Sequence, residues 1–175
     1  MVVFVSNLMV LYIANEILIK MTIQQSEIME AQELWGDAIV KIGQTFREKS
    51  DFREIAENAV GDFYAYDLGK VLFKPTKTSE KQFRLTFESA VSYFVGGNPD
   101  FPEDKGFALQ PWKNVRFENA GIIVNDNSAF AMGNYFFTDY NDVETKVEYT
   151  FGYRKAENGK LKIILHHSSL PFQNV

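Results

Sequence analysis

KVEYTFGYRK, Lys146 to Lys155, alternates apolar or aromatic residues with others for its whole length. Side chains on an extended chain point to opposite faces in turn. Val147, Tyr149, Phe151 and Tyr153 therefore share one face, and Glu148, Thr150, Gly152 and Arg154 the other. The segments around it read alike. WKNVRFENAGIIV, SAFAMGNYFFTDY, ETKVEYTFGYRK and KLKIILHHSS are rich in β-branched and aromatic residues. NDN, YND and AENG between them are turn sequences, so the C-terminal half predicts a run of antiparallel strands.

Upstream, the period changes. Ile28, Leu34, Trp35, Ala38, Ile39, Ile42 and Phe46 recur at three- and four-residue spacings, which predicts a long helix with Ser26 as its cap. A second helix is predicted over 51–64 and a strand in YDLGKVLFKPTKTSE. A third helix is predicted in KQFRLTFESAVSYFVGG, stopped by Gly96 and Gly97. NPDFPEDKG is a loop. Helices, then strand and helix, then a sheet is an α+β order. A curved sheet wrapped round the long N-terminal helix buries one face of each and makes a cone with an internal pocket.

Composition narrows the classes. The chain has 175 residues, enough for one domain; hydrophobic residues are 46%, with 16 Phe and 8 Tyr. A net charge of −5 argues against nonspecific nucleic-acid binding. No cysteine is present, which excludes disulfides, thiolate catalysis and Cys-based metal sites. Residues 1–20, MVVFVSNLMVLYIANEILIK, lack a basic n-region, and Asn7, Asn15 and Glu16 make a bilayer span costly. They read as an apolar extension, with a membrane anchor as the other reading, and 21–175 as the single domain. An acidic, cysteine-free chain without a convincing signal is expected to be cytoplasmic.

The two histidines stand together in KLKIILHHSS. Strict alternation puts Leu161, Ile163, Leu165, His167 and Ser169 on the apolar, inward face. His166 and Ser168 then face outward. Adjacent residues on a strand do not share one ion without a bulge, and with at most one inward histidine a protein-built zinc site is not expected. A plain core histidine at a strand end is the alternative to a polar pocket. No G-x-S-x-G elbow, P-loop or Rossmann fingerprint is present. Thr76 follows Pro75 at the presumed mouth of the cone. Tyr93, Tyr135 and Tyr149 have apolar neighbours and can each bring a phenol to the pocket.

The order of elements ending in LHHSSLPF resembles the association domain of calcium/calmodulin-dependent kinase II, of the NTF2-like superfamily. LFKPT, FRLTFESAVSYFVGG, GFALQPWKNVRFENAG, AMGNYFFTD, VEYTFGY and LHHSSLPF resemble the iota-class carbonic anhydrases more closely still. The resemblance covers about 21–172. It implies an NTF2-like cone and the reversible hydration of CO2 to bicarbonate. Thr76, Tyr93, His167 and Ser169 are the catalytic residues it implies. Thr76, Tyr93, Tyr149 and Ser169 would hold the substrate. That class includes members that use a divalent metal, such as Mn or Zn, and members that work without one. The lack of clustered ligands here points to no cofactor and no metal. The partners implied are CO2 and bicarbonate and, through the sheet's outer face around Ile164, a second copy in a homodimer or larger homo-oligomer.

Two other readings stand beside it. One is a non-enzymatic small-ligand-binding or oligomerisation domain, as in the kinase. The other is an isomerase or lyase, which needs an inward Asp or Glu that the apolar faces do not show.

Overall fold

The computed structural model describes residues 22–173, together with Met9 and Tyr12. The choice between extension and anchor for residues 1–20 lies outside the described residues. Among the described residues no helix is long and apolar enough to cross a membrane.

Helix α1 spans Gln25–Arg47 and buries Ile28, Gln32, Trp35, Gly36, Ile39 and Ile42 along one stripe. Its cap lies two residues before the expected Ser26. The Glu27 carboxylate accepts the N–H of Gln24 at 2.7 Å. Helix α2, Phe52–Phe63, starts where the Asp51 carboxylate accepts the N–H of Glu54. The strand expected over 66–80 is mostly loop. Only β1, Leu72–Lys74, pairs, after a 3₁₀ turn at Ala65–Asp67.

Helix α3 is Phe87–Val95, shorter than the span predicted from residue 81. Residues 81–85 stay out of the helix because Arg84 is pinned at both ends. Its N–H donates to Phe73 O at 2.8 Å, and its guanidinium is buried against Asp104 at 2.5 Å. Thr86 then caps the helix, accepting the N–H of Ser89. The helix stops as predicted at Gly96, whose φ of 67° suits a residue without Cβ.

Four long strands follow: β2 Trp112–Asn125, β3 Ser128–Asp139, β4 Glu144–Lys155 and β5 Leu161–Ser169. The sheet order is β1-β5-β4-β3-β2, antiparallel except where β1 lies parallel to β5. This is the α+β arrangement expected, with the sheet curved over α1. Val147, Tyr149, Phe151 and Tyr153 all face inward, as their alternation predicts, each 2% exposed or less.

Among the described residues the register shifts three times, once at the start of β2 between Trp112 and Asn114, and the other two shifts shape the sheet near its middle. On β2 the register shifts between Asn119 and Gly121, opposite Gly133. A Cβ on Gly133 would sit 2.0 Å from Glu118 O, so only glycine fits there. On β5, Tyr153 pairs with Ile163 and Gly152 with Leu165, which leaves Ile164 as the extra residue.

The core is aromatic and centred on Trp35. Its ring meets Tyr135, Phe117 and Phe151 edge-to-face with centroids 5.7–6.0 Å apart, the arrangement ring quadrupoles favour.

Candidate active site

The bulge at Ile164 decides which side chains enter the cone. Ile163 is inward; the extra residue then shifts the alternation by one, and every later side chain changes face. His166 and Ser168 are each 2% exposed. His167 is exposed, and the Ser169 hydroxyl donates to Glu148 on the outer side at 2.9 Å. The expectation that His167 and Ser169 face inward is thus corrected. The interior receives the same two residue types, from the other pair.

His166 sits in an aromatic box. Its ring stacks on Phe73 at 4.5 Å with an interplanar angle of 14°, meets the edge of Phe151 at 4.2 Å, and lies 5.7 Å from Trp35. Register explains the two closest contacts. His166 is the Cα partner of Phe73 on β1 and of Phe151 on β4.

Both ring nitrogens are used. Nδ1 is 2.8 Å from Tyr64 Oη, and Nε2 is 2.8 Å from Ser168 Oγ. Ser168 in turn makes a short hydrogen bond to Tyr135 Oη, which also lies 3.5 Å from His166 Nε2. The Thr76 side chain is turned toward the same Tyr135 hydroxyl. The backbone N–H groups of Lys77 and Thr76 are directed at the Tyr93 hydroxyl. The loop after β1 thus reaches both α3 and β3, and Thr76 stands half-buried where they converge. Tyr93 also lines a cavity of about 80 Å³ with Lys77, Glu103, Gly106, Phe107 and Gln110.

A second clamp holds this loop. The Glu103 carboxylate accepts the backbone N–H groups of Ser79, Glu80 and Lys81 at 2.7–3.2 Å. Those N–H groups hold its acid well ionised, down to about 2. Next to it, Asp104 takes the Arg84 guanidinium and the Ser92 hydroxyl at 2.6 Å.

Burial makes the site electrically neutral. It pushes His166 well below its ordinary range, and the neighbouring His167 adds to the effect. It pushes the Tyr64, Tyr93 and Tyr135 phenols up; for Tyr135, the hydrogen bond with Ser168 and the nearby Thr76 side chain oppose the shift. At neutral pH the group is an uncharged imidazole among uncharged hydroxyls.

Of the residues the sequence singles out, Thr76 is brought to Tyr135 and Tyr93 to the Thr76 backbone. The Tyr149 ring packs edge-on against Tyr135 at 5.3 Å, but its hydroxyl bonds outside this group. Its hydroxyl donates to Asn119 Oδ1 at 2.6 Å and accepts from Gln32 Nε2 at 3.1 Å, and Asn119 Nδ2 closes the ring on Gln32 Oε1. Sequence reasoning misses His166, Ser168 and Tyr64. The one signal for the first two is Gly152, a lone glycine inside a strand, which often marks a bulge.

The arrangement can donate hydrogen bonds to a small oxygenated molecule and hold a water beside it. It is not built for a Ser–His–Asp relay. Among the described residues no carboxylate bonds to His166, and both its nitrogens are committed to hydroxyls. Among the described residues no group of three or more His, Cys, Asp or Glu side chains is placed to hold a metal ion.

The family model for metal-independent carbonic anhydrases matches residues 26–170. A metal-independent carbonic anhydrase from Nostoc sp. is 43% identical over 159 residues, covering 89% of this chain and 78% of the relative. The crystal structure of a cyanobacterial iota-carbonic anhydrase complexed with bicarbonate superposes with a TM-score of 0.85 at 44% identity, covering 87% of this chain and 95% of the other. A calcium/calmodulin-dependent protein kinase II association domain from Xanthomonas campestris is more distant. It is 27% identical at TM-score 0.51, over 85% of this chain and 88% of that one. With the fold, the hydroxyl-lined interior and these matches taken together, the chain belongs to the metal-independent carbonic anhydrase family.

Proposed function

We propose that this protein catalyses the reversible hydration of CO2 to bicarbonate in the cone, at Thr76, Tyr93, Tyr135, His166 and Ser168, without a metal. The observation that carries the reading is the convergence of three side-chain hydroxyls on one buried neutral imidazole inside an aromatic shell. Family membership and the bicarbonate complex of the 44% identical structure support it.

CO2 is neutral and apolar overall, so an aromatic interior admits it. Attack by water puts negative charge on its oxygens. Hydroxyl donors fixed beforehand in a site that excludes water stabilise that charge far better than bulk solvent does. The hydroxyls of Thr76 and Ser168 hold the attacking water at the carbon, so much of the barrier is removed by positioning. The water's second proton leaves for solvent, giving HCO3⁻ and H⁺. Nothing here lowers the water pKa to about 7 as zinc does, so turnover is expected below that of zinc enzymes.

The sheet's outer face supports a homodimer. Ile123, Phe130, Gly152, Leu165 and Leu72 are Cα partners in sequence across all five strands. In this row Leu72, Ile123 and Phe130, with Met132 beside them, are left exposed in the single chain, Ile123 by 63% and Met132 by 58%, while Leu165 is half-buried and Gly152 buried.

The test is stopped-flow CO2 hydration on purified protein with and without chelator. Wild type is expected to be active and chelator-insensitive. Ser168→Ala and Thr76→Val are expected to lose about 10- to 100-fold in kcat/KM, below the usual loss for one oxyanion donor because several remain. Unchanged rates in both variants would refute the site.

A further inference from the structure

The hydrogen bonds around His166 have a direction, and the residue that sets it is Trp35. An indole N–H donates and never accepts. Trp35 Nε1 donates to Tyr64 Oη at 3.2 Å. The Tyr64 phenol is 2% exposed, so its own hydrogen needs a buried acceptor. Among the described residues the acceptor it meets is His166 Nδ1, at 2.8 Å. A proton on Nδ1 would leave two hydrogens facing each other there.

We infer that Trp35 and Tyr64 are positioning residues that lock His166 in the Nε2–H tautomer, so that the imidazole donates to Ser168 rather than taking a proton from it. The inference rests on the reading of His166 and Ser168 as parts of the reactive site. Nε2–H points at Ser168 Oγ, 2.8 Å away. Ser168 accepts that hydrogen and is left to donate its own to Tyr135 Oη, whose phenol hydrogen is then the one free to meet a substrate oxygen. The sequence Trp35 to Tyr64 to His166 to Ser168 to Tyr135 is one chain of donors, all aimed the same way. Such a chain strengthens along its length and ends on a group that meets developing negative charge. It has no vacant lone pair on imidazole nitrogen to receive the proton of water. That proton leaves by another route, to solvent or buffer, and His166 is unchanged through the cycle.

The chain has only two histidines, so ¹⁵N-histidine labelling gives two ring systems to assign. Long-range ¹H–¹⁵N spectra of the full-length protein at neutral pH are expected to show His166 with Nε2 protonated and Nδ1 bare. In Tyr64→Phe the Nδ1 resonance is expected to move toward that of an unbonded nitrogen. There kcat is expected to fall about tenfold with KM within about twofold, as for an interaction made in the transition state. An Nδ1–H tautomer or an imidazolium in wild type overturns the inference. So does a Tyr64→Phe protein with wild-type shifts and wild-type kcat. If Tyr64→Phe does not fold, the wild-type spectrum decides alone. The tautomer is read without turnover, so an inactive wild type sinks the proposed activity and not this assignment.

Discussion

Two adjacent histidines have opposite fates, and the difference is chemical as well as positional. His166 is buried, neutral and bonded at both nitrogens; its neighbour is in water. His166→Ala is expected to lower CO2 hydration at least about tenfold, since it removes a fixed donor from the site. His167→Ala is expected to leave the rate near wild type. A stopped-flow comparison of the two variants checks both, and the reverse order would show that the bulge is misplaced. The identity of the chemistry was legible in the sequence, because a His and a Ser two apart on one strand face is what the interior holds. Which His and which Ser was not. The apolar run Ile163, Ile164, Leu165 fits either face, and a bulge is set by the partner strand rather than by local propensity. Tyr64 was illegible for another reason. It ends a helix 102 positions away from the ring it bonds to, and only tertiary packing joins them.

At the scale of elements, the four long strands and the main helix were readable within a residue or two. Each combines strong periodicity with clear turn or cap residues. The short elements were not. Residues 81–85 carry helix formers yet stay non-helical, because burying the Arg84 guanidinium against Asp104 outweighs a few tenths of a kcal/mol of propensity. The 66–80 segment looks like a strand, but β1 has a neighbour on one side only and pairs for three residues. The β2 bulge offers a direct check. A methyl group at residue 133 would overlap backbone oxygen, which cannot move aside as a flexible side chain would. Gly133→Ala is expected to destabilise by about 3 kcal/mol or more. A chemical-denaturation curve measures it, and a cost under about 1 kcal/mol would show that the sheet yields there.

The whole molecule feels its buried neutral histidine through pH. The folded pKa of His166 is depressed below its unfolded value near 6.5. Below that value the unfolded chain binds a proton that the folded one refuses, so the native state loses stability as pH falls. Above it the group contributes no slope. Stability is expected to fall by about 1.4 kcal/mol per pH unit below about 6.5 from this residue alone. Glu103 has the opposite charge type and a lower window; its contribution is present above 4.5 and is lost as pH falls toward about 2. The windows separate the two. The slope between pH 6.5 and 4.5 is expected to flatten in His166→Asn, and an equal slope in wild type and variant would rule out the histidine as its source. Assembly is the other property of this scale. Phe130→Asp places a charge in the middle of the cross-strand apolar row and is expected to give monomers by analytical ultracentrifugation where wild type gives dimers. A wild-type monomer at micromolar concentration would remove the dimer reading.

The extra residue in β5 also bears on why the tail doubles each of its polar letters. Slide the strand past its neighbour by one step, flattening Ile164 into the ladder, and the interior loses one imidazole and gains another, loses one hydroxymethyl and gains its twin. Histidine–histidine–serine–serine spells the same pair to the inside in either frame. The repetition works as tolerance to misalignment, written into the one strand where a miscount would otherwise leave the cone without its polar floor.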